Sequence, residues 1–64
     1  MRNEIRRLRE MHDLTQAALG AKIGVSRQTI NSLETGKYDP SLPLAFTIAR
    51  HFGLSIEEIF HVDE

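Results

Sequence analysis

The chain is 64 residues long, contains no cysteine and carries a formal net charge of −1. This length predicts a single domain over residues 1–64. Because a chain of this length buries only about 60% of its unfolded surface, we expect the domain to be marginally stable. The lack of cysteine excludes a disulfide framework and a thiolate metal site, and it agrees with a reducing cytosol. No apolar run approaches the roughly 20 residues that span a bilayer. We therefore expect a cytoplasmic protein with no membrane partner.

The charges are distributed unevenly along the chain. Residues 1–50 contain all eight Arg and Lys residues against five Asp and Glu residues. Residues 51–64 contain four acidic residues and no Arg or Lys. A positively charged body can still steer an anionic ligand to one side of a protein whose net charge is close to zero.

The first predicted helix covers Arg2 to Met11. Ile5, Leu8 and Met11 recur every three residues with charged residues between them, which is typical of an amphipathic helix. On this pattern the arginines at positions 6, 7 and 9 face mainly solvent, and Arg6 is spaced to pair with the acidic residue at position 10.

A helix-turn-helix pattern is predicted over residues 15–36. Thr15 is suited to the N-cap of a helix that runs from Gln16 to Ile23. Gly24 follows at the position where a left-handed residue ends a helix. Ser26 is then suited to the N-cap of the next helix, which ends at Gly36.

The third helix has one apolar side and one side of short polar residues. At about 100° per residue, Ile30 and Leu33 fall on one side. The polar residues fall within an opposite arc of about 100°: Gln28, Asn31, Ser32 and Thr35. A solvated helix face is usually rich in Lys and Glu, whereas amides and hydroxyls match the donors and acceptors of base edges in the major groove.

Two more helices are predicted in the C-terminal part of the chain. Ser41 is suited to the N-cap of a fourth helix that ends at Gly53. Ser55 and Glu58 have the spacing of a capping box that opens a short fifth helix through Phe60. Residues 61–64 alternate polar and apolar and are either an extended edge segment or a frayed tail. The pattern predicts an all-α fold with a short extended C-terminal tail.

An enzyme would need a convergent set of acid, base, nucleophile or metal ligands. His12, His51 and His61 lie far apart in the helical pattern and lack the spacing of a metal-binding helix. The chain also lacks a Gly-rich phosphate loop. We therefore expect no enzymatic activity, cofactor, metal site or small-molecule substrate.

The chain resembles the Xre/Cro-like helix-turn-helix family of phage and bacterial repressors. The resemblance covers about Ile5 to Phe60, and its short length is similar to stand-alone regulators that have no effector domain. The matching positions are Leu14, Thr15, Gln16, Leu19, Gly24, Val25, Ser26, Arg27, Gln28, Thr29, Ile30, Glu34, Gly36, Pro40, Ile48, Ala49, Phe52, Gly53, Leu54 and Ser55. The resemblance implies a compact five-helix lambda-repressor-like DNA-binding domain. It also implies a transcriptional regulator that binds double-stranded DNA at specific sequences and acts as a repressor.

The resemblance implies that the third helix enters the major groove while the second lies across the backbone. Arg27 and Gln28 then occupy the positions that touch base edges first, with Asn31 and Ser32 behind them. The guanidinium group of arginine can donate two hydrogen bonds to guanine, and the amide of glutamine can make a pair of hydrogen bonds with adenine.

The same resemblance implies contacts with phosphates, which hold register without reading sequence. Gln16 matches the phosphate-contacting glutamine of the family, at the positive end of a helix. The other positions are Ser26, Thr29, Lys37 and Tyr38. For Tyr38, a ring packed on the fourth helix is an equal alternative.

Arg9 and Glu34 match a pair that bridges the first and third helices in the family. Glu34 lies at the inner edge of its helix, where an unpaired carboxylate would be costly. We expect a partly buried ion pair, the alternative being two independent surface charges.

The chain departs from the family at Gly20, where Ala is usual, and at Ala18, where Glu is common. A small residue at position 20 allows close helix–helix contact, at a helix cost of up to about 1 kcal/mol.

One recognition helix makes few phosphate contacts, so specific sites generally need two modules about one helical turn apart. We therefore expect a two-fold homodimer on a pseudo-palindromic operator. The C-terminal part favours an interface formed by Leu54, Phe60 and Val62, with Leu42 and Phe46 as further candidates, although these residues could instead complete the core.

Two other functions are compatible with this fold. An antitoxin-type component would bind DNA and also mask a toxin protein, and nothing in the chain separates it from a plain regulator. A protein–protein adaptor would carry apolar or acidic residues on the outward arc of the third helix. That arc is polar and adjoins Arg27, so the adaptor is disfavoured.

Overall fold

The computed structural model describes residues 1–62, which form five α-helices and a two-stranded sheet. The elements follow in the order β1 (Arg2–Asn3), α1 (Ile5–Met11), α2 (Gln16–Ile23), α3 (Arg27–Glu34), α4 (Leu42–Phe52), α5 (Ile56–Ile59) and β2 (Phe60–His61). The five-helix architecture is confirmed. The last two residues of the predicted tail, 63 and 64, lie outside the described residues.

Four of the five helices begin at a hydroxyl N-cap, as the sequence predicts. The side chain of Thr15 accepts a hydrogen bond from the backbone N–H of the third helical residue of α2. Ser26 and Ser41 make the equivalent contact in α3 and α4. At α5, Ser55 and Glu58 form a complete capping box. Because these side chains satisfy backbone donors that have no partner within the helix, they fix where each helix starts.

The ends of the described chain differ from the prediction. The predicted first helix is wrong over its first residues, because Arg2 and Asn3 form β1 and pair antiparallel with His61 and Phe60 of β2. The helix α1 therefore starts only at Ile5. The fifth helix likewise ends one residue earlier than predicted, since Phe60 belongs to the sheet. The extended alternative for the tail is confirmed at His61.

Every helix contributes to a single apolar core. The fully buried large side chains are Ile5, Leu19, Ile30, Leu33, Ile48 and Ile59. Two of them, Ile30 and Leu33, come from α3 and attach its inner side to the core. Because side chains three residues apart share one face of a helix, this attachment turns the opposite face of α3 outward.

A close backbone contact sets the turn between α2 and α3. A Cβ atom placed on Gly20 would lie 2.5 Å from the carbonyl oxygen of Val25. Gly24 has φ = +84°, which glycine adopts without steric cost. The small residue predicted at position 20 is therefore required by the backbone of the turn rather than by a neighbouring helix side chain.

Within the described part of the chain, no helix is both long and apolar enough to cross a membrane.

Candidate nucleic-acid interface

The outward face of α3 presents the side chains that the sequence assigns to base contacts. Arg27, Gln28 and Asn31 are exposed, and Ser32 is half-buried. Gln28, Asn31 and Ser32 lie on the side of α3 opposite the buried pair of core residues, and Arg27 lies at the N-terminal edge of that side. The face thus displays one guanidinium group, two amides and one hydroxyl, which together offer both donors and acceptors.

The loop after α3 folds back beside this face. The backbone N–H groups of Lys37 and Tyr38 donate to the carbonyl oxygen of Ser32 at 3.0 Å and 3.3 Å. The Tyr38 side chain is 43% exposed. It lines an open groove along α3 together with Ser26, Gln28, Thr29 and Ser32. The loop therefore places the phenol ring of Tyr38 next to the exposed face of α3 and holds the backbone of Lys37 against the end of the helix.

The two hydroxyls at the start of α3 contact each other. Ser26 Oγ and Thr29 Oγ1 are 3.0 Å apart, and Ser26 Oγ also accepts a hydrogen bond from the backbone N–H of Thr29. Both residues are predicted phosphate contacts. Both residues lie at the N-terminus of α3, where the positive end of the helix dipole favours an anion.

Arg9 and Glu34 form a bidentate ion pair between α1 and α3. Arg9 Nε lies 2.6 Å from Glu34 Oε2, and Arg9 Nη2 lies 3.1 Å from Oε1. The two side chains are only 12% and 4% exposed. The remaining terminal nitrogen of Arg9 donates to the carbonyl oxygen of Leu14. The hydrogen bonds to Glu34 raise the pKa of Arg9 above its ordinary value. The pair thus holds the C-terminal end of α3 against α1.

The side chain of Gln16 joins this ion pair to the exposed face. Its Nε2 donates to Glu34 Oε1 at 3.1 Å and to Asn31 Oδ1 at 3.3 Å. Gln16, at the first position of α2, is therefore linked to two residues of α3. Nothing in the spacing of the sequence indicates this link, which depends on how α2 crosses α3.

The residues predicted for a dimer interface lie in different environments. Val62 is 74% exposed, and Leu42 is 64% exposed. Both line an apolar groove. Phe60 is only 8% exposed and belongs to the core, although it also lines this groove. Leu54 is partly buried and packs against the core.

The expectation that the three histidines lie far apart is wrong for two of them, His12 and His51. The ring centroids of His12 and His51 are 6.4 Å apart, and both rings contact Phe52 edge-on. Burial lowers the pKa of His51, and the nearby Lys22 adds to the effect. Residues 1–62 contain no group of three or more His, Asp or Glu side chains placed to hold a metal ion.

A cluster of charged side chains at the terminal sheet was not predicted from the sequence. His61 Nε2 lies 3.0 Å from Glu4 Oε2, and Arg7 Nε donates to Glu4 Oε1 at 2.9 Å. The hydrogen bond from Arg7 lowers the pKa of Glu4, and His61 contributes in the same direction. The Asn3 side chain bridges β1 to the last turn of α3. An asparagine just before an amphipathic helix is a capping signal that could have indicated the hydrogen bond from the Ile5 N–H to Asn3 Oδ1, but not the contact with α3.

The chain belongs to the helix-turn-helix family. The family model described as helix-turn-helix matches residues 5–59, which is nearly the whole described chain. The match includes all of α2, the turn and α3, where the exposed polar face lies.

The chain is similar to several transcriptional regulators. It is 58% identical over 60 residues to an uncharacterized HTH-type transcriptional regulator of Methanocaldococcus jannaschii, covering 94% of this chain and 91% of the relative. It is 50% identical over 64 residues to another such regulator of Archaeoglobus fulgidus, covering all of this chain and 91% of the relative. Among solved structures it resembles the P22 c2 repressor protein in complex with a synthetic operator. That likeness has a TM-score of 0.80 and 28% identity, and it covers 84% of this chain and 82% of the repressor chain.

Proposed function

We propose that this protein is a sequence-specific regulator of transcription that inserts α3 into the major groove of operator DNA and acts as a repressor. The observation that carries the proposal is the outward face of α3, which presents Arg27, Gln28 and Asn31 to solvent. The buried Arg9–Glu34 pair and the core hold this helix in place. The names of the relatives and the operator complex of the P22 c2 repressor support the same function.

The side chains divide into two groups by the part of DNA that they would contact. Arg27 and Gln28 would contact base edges through paired hydrogen bonds, Arg27 with guanine and Gln28 with adenine. Asn31 and Ser32 would contact bases further along α3. The phosphate contacts would come from the ends of the motif and from the loop after α3: Gln16, Ser26, Thr29, Lys37 and Tyr38. The exposure of Tyr38 beside α3 supports a phosphate contact over packing on α4.

The protein would bind a pseudo-palindromic operator as a two-fold homodimer. Support comes from exposed apolar side chains on one region of the surface. Leu42 and Phe46 are 64% and 48% exposed and lie four residues apart on α4, so they share a face. Val62 and Leu42 line the same apolar groove. In this arrangement Phe60, which also lines the groove, and the partly buried Leu54 would contribute to the interface.

Sedimentation tests the dimer. At micromolar concentration the wild-type chain is expected to sediment as a dimer on its operator, and Leu42→Glu is expected to shift it to a monomer with weaker operator binding. A wild-type chain that stays monomeric both free and on DNA would contradict the proposed dimer.

We place the protein in the cytoplasm and propose no enzymatic activity for it. The antitoxin alternative is not favoured, since the relatives are named as transcriptional regulators.

Selection of bound sequences from random duplexes tests the function. The wild-type chain is expected to enrich one motif. Arg27→Ala and Gln28→Ala should each cost about 1–3 kcal/mol and relax the preference at one base position. Lys37→Ala should weaken all sequences alike and reduce the salt dependence. Arg7→Ala, which removes an exposed cation already paired with Glu4, is the matched control. Failure to bind any duplex at low ionic strength would refute the function.

A further inference from the structure

We infer that the two copies of the proposed dimer pack α4 against α4 in antiparallel orientation about Phe46, so that Arg50 of each copy pairs with Glu57 of the partner subunit. The inference rests on the proposed function, because it specifies the contacts of the dimer that the function requires. It follows from an exposed apolar face of α4 that has a positive charge at one end and a negative charge at the other.

The outer face of α4 carries apolar side chains that the domain leaves exposed. Leu42 is 64% exposed and Phe46 is 48% exposed. Arg50 follows four residues after Phe46 and is exposed as well. At about 100° per residue these three side chains lie within an arc of about 80°, so they share one face of the helix. Exposed apolar side chains that are grouped together and flanked by charges are typical of a protein interaction site.

The two ends of this face carry opposite charges. Glu57 is exposed and lines the apolar groove beside Leu42, at the end of the face where α4 begins. Arg50 lies in the last turn of α4, about 12 Å along the helix from Leu42 at 1.5 Å per residue. Within residues 1–62, the side chains of Arg50 and Glu57 take part in no ion pair or hydrogen bond. Each copy therefore offers one cation and one carboxylate to a partner.

A two-fold axis through Phe46 brings these opposite charges together. In a two-fold contact, if residue i of one copy touches residue j of the other, then j also touches i. Leu42 and Arg50 are each four residues from Phe46, so in an antiparallel helix pair they face each other across the axis. Because Glu57 lies beside Leu42 in the groove, it is within reach of the arginine from the partner subunit. The contact forms twice, with the two Phe46 rings between the copies.

This complementarity favours a second copy of the chain as the occupant of the face. A half-turn places the positive end of the face on the negative end and the apolar centre on itself, whereas a parallel pair would place like charges together. Each charge also has a local role, since Arg50 lies in the last turn of α4 and Glu57 in the first turn of α5. Both positions suit the helix dipole. A local role involves one copy alone, so variants that are mixed with each other separate the two explanations.

The interface is expected to be small. It consists of one face of an 11-residue helix and the rim of the adjoining groove. A stable protein–protein interface buries about 1,600 Å² in total, which this surface does not provide. We therefore expect a weak dimer, which forms at high protein concentration or on two adjacent half-sites, where DNA raises the effective concentration of the second copy.

Sedimentation equilibrium of the free chain tests the inference, at low ionic strength and at concentrations up to millimolar. Arg50→Glu and Glu57→Arg each make both reciprocal contacts repulsive. Each variant alone should dimerise about tenfold or more weakly than the wild type, because two surface ion pairs become two repulsions. Arg6→Glu changes the net charge as Arg50→Glu does, on the exposed surface of α1, and should leave dimerisation unchanged.

A mixture of the two variants provides the decisive comparison. In a mixed dimer of Arg50→Glu with Glu57→Arg, one contact has both charges reversed and the other has both charges unchanged. The mixture should therefore recover dimerisation close to that of the wild type, although each variant alone does not. Recovery is not expected if the two charges act only on their own helices. Phe46→Glu should prevent dimerisation in every background, and circular dichroism verifies that this variant is folded.

Three results would overturn the inference. The first is a mixture that remains monomeric where the wild type dimerises. The second is a folded Phe46→Glu variant that dimerises like the wild type. The third is a wild-type chain that remains monomeric both at millimolar concentration and on a duplex with two half-sites.

Duplex binding by the same proteins separates this inference from the proposed function. If the mixture recovers the dimer but the wild type binds no duplex of any sequence, the proposed function fails while the α4 contact stands. If the wild type binds its operator and the mixture does not recover the dimer, the α4 contact alone fails.

Discussion

The side-chain amide of Asn3 connects the terminal sheet to the last turn of α3, because its Nδ2 donates to the backbone carbonyl oxygen of Leu33 at 2.8 Å. Its Oδ1 also accepts a hydrogen bond from the backbone N–H of Ile5 at 3.1 Å. The Asn3 side chain thus pairs with a backbone N–H at the start of α1 and with a backbone carbonyl at the end of α3. Together with the Arg9–Glu34 pair, it fixes the C-terminal end of α3 to the rest of the domain.

Asn3→Ala is expected to destabilise the domain. The substitution removes both contacts of the amide, and a lost hydrogen bond to a partly buried group typically costs about 1–3 kcal/mol. The free energy of unfolding from urea titration measures the loss. Asn3→Asp separates the two contacts, since a carboxylate still accepts from Ile5 but faces the Leu33 carbonyl oxygen without a donor. Wild-type stability in Asn3→Asp would show that the bond to Leu33 contributes nothing.

The helices could be predicted because their signals are local. Each of α2 to α5 follows a hydroxyl N-cap, and the apolar spacing identifies the inner side of α3. The strand β1 could not be predicted in this way. It has two residues, too few for a periodic pattern, and its partner β2 lies at the other end of the chain. Pairing between distant segments depends on the assembled core, which brings the two ends together.

The contacts of the candidate site likewise include some that follow from local sequence signals and others that depend on how the helices pack. The outward face of α3 follows from helix geometry, and the Arg9–Glu34 pair was expected from the family resemblance. The link from Gln16 to Asn31 depends on how closely α2 approaches α3, which is set by the turn at Val25. The contact between His12 and His51 likewise depends on how α1 and α4 are packed.

Arg9→Ala should destabilise the domain far more than Arg7→Ala. Removal of Arg9 leaves the 4% exposed Glu34 carboxylate without its cation, and breaking such a buried pair costs about 3–5 kcal/mol. This is comparable with the whole stability of a small domain. Arg7 pairs with Glu4 at the surface, where an ion pair contributes about 0–1 kcal/mol.

Thermal unfolding followed by circular dichroism measures both arginine variants. The melting temperature of Arg7→Ala should stay within a few degrees of the wild type, while Arg9→Ala should melt much earlier or fail to fold. If the two variants melted at the same temperature, the buried pair would have no special role in holding α3. Glu34→Gln serves as a second variant that retains the shape of the partner.

Gly20→Ala should destabilise the domain although alanine is the better helix former. Helix propensity alone would favour alanine by about 1 kcal/mol. The new Cβ, however, would lie 2.5 Å from the Val25 carbonyl oxygen, and a backbone atom cannot move aside without shifting the turn. We expect a net loss of stability in denaturant titration and weaker operator binding, because the turn sets the position of α3. The exposed Ala21→Gly is the control for propensity alone, and a more stable Gly20→Ala would mean that the turn moves without cost.

Stability should fall as the pH is lowered from 7.5 to 5.5, and His51 should account for part of this fall. Burial lowers the pKa of His51, aided by the neighbouring Lys22 and His12, so the imidazolium is disfavoured in the folded state. The unfolded chain then binds more protons around the ordinary histidine pKa of about 6.5, and stability decreases below that pH. The pKa values of Glu4 and Glu58 are lowered by hydrogen bonds from Arg7 and the Ser55 backbone. The stability that these two ionised carboxylates contribute is therefore lost only at more acidic pH.

His51→Gln isolates the His51 contribution to this pH dependence. The difference in melting temperature between pH 7.5 and pH 5.5 should be smaller in His51→Gln than in the wild type. His61→Gln is the matched control, because it removes an imidazole that contacts Glu4 at the terminal sheet and leaves the surroundings of His51 unchanged. An equal difference in the wild type and in His51→Gln would show that the ring of His51 accepts a proton in the folded state as readily as in the unfolded chain.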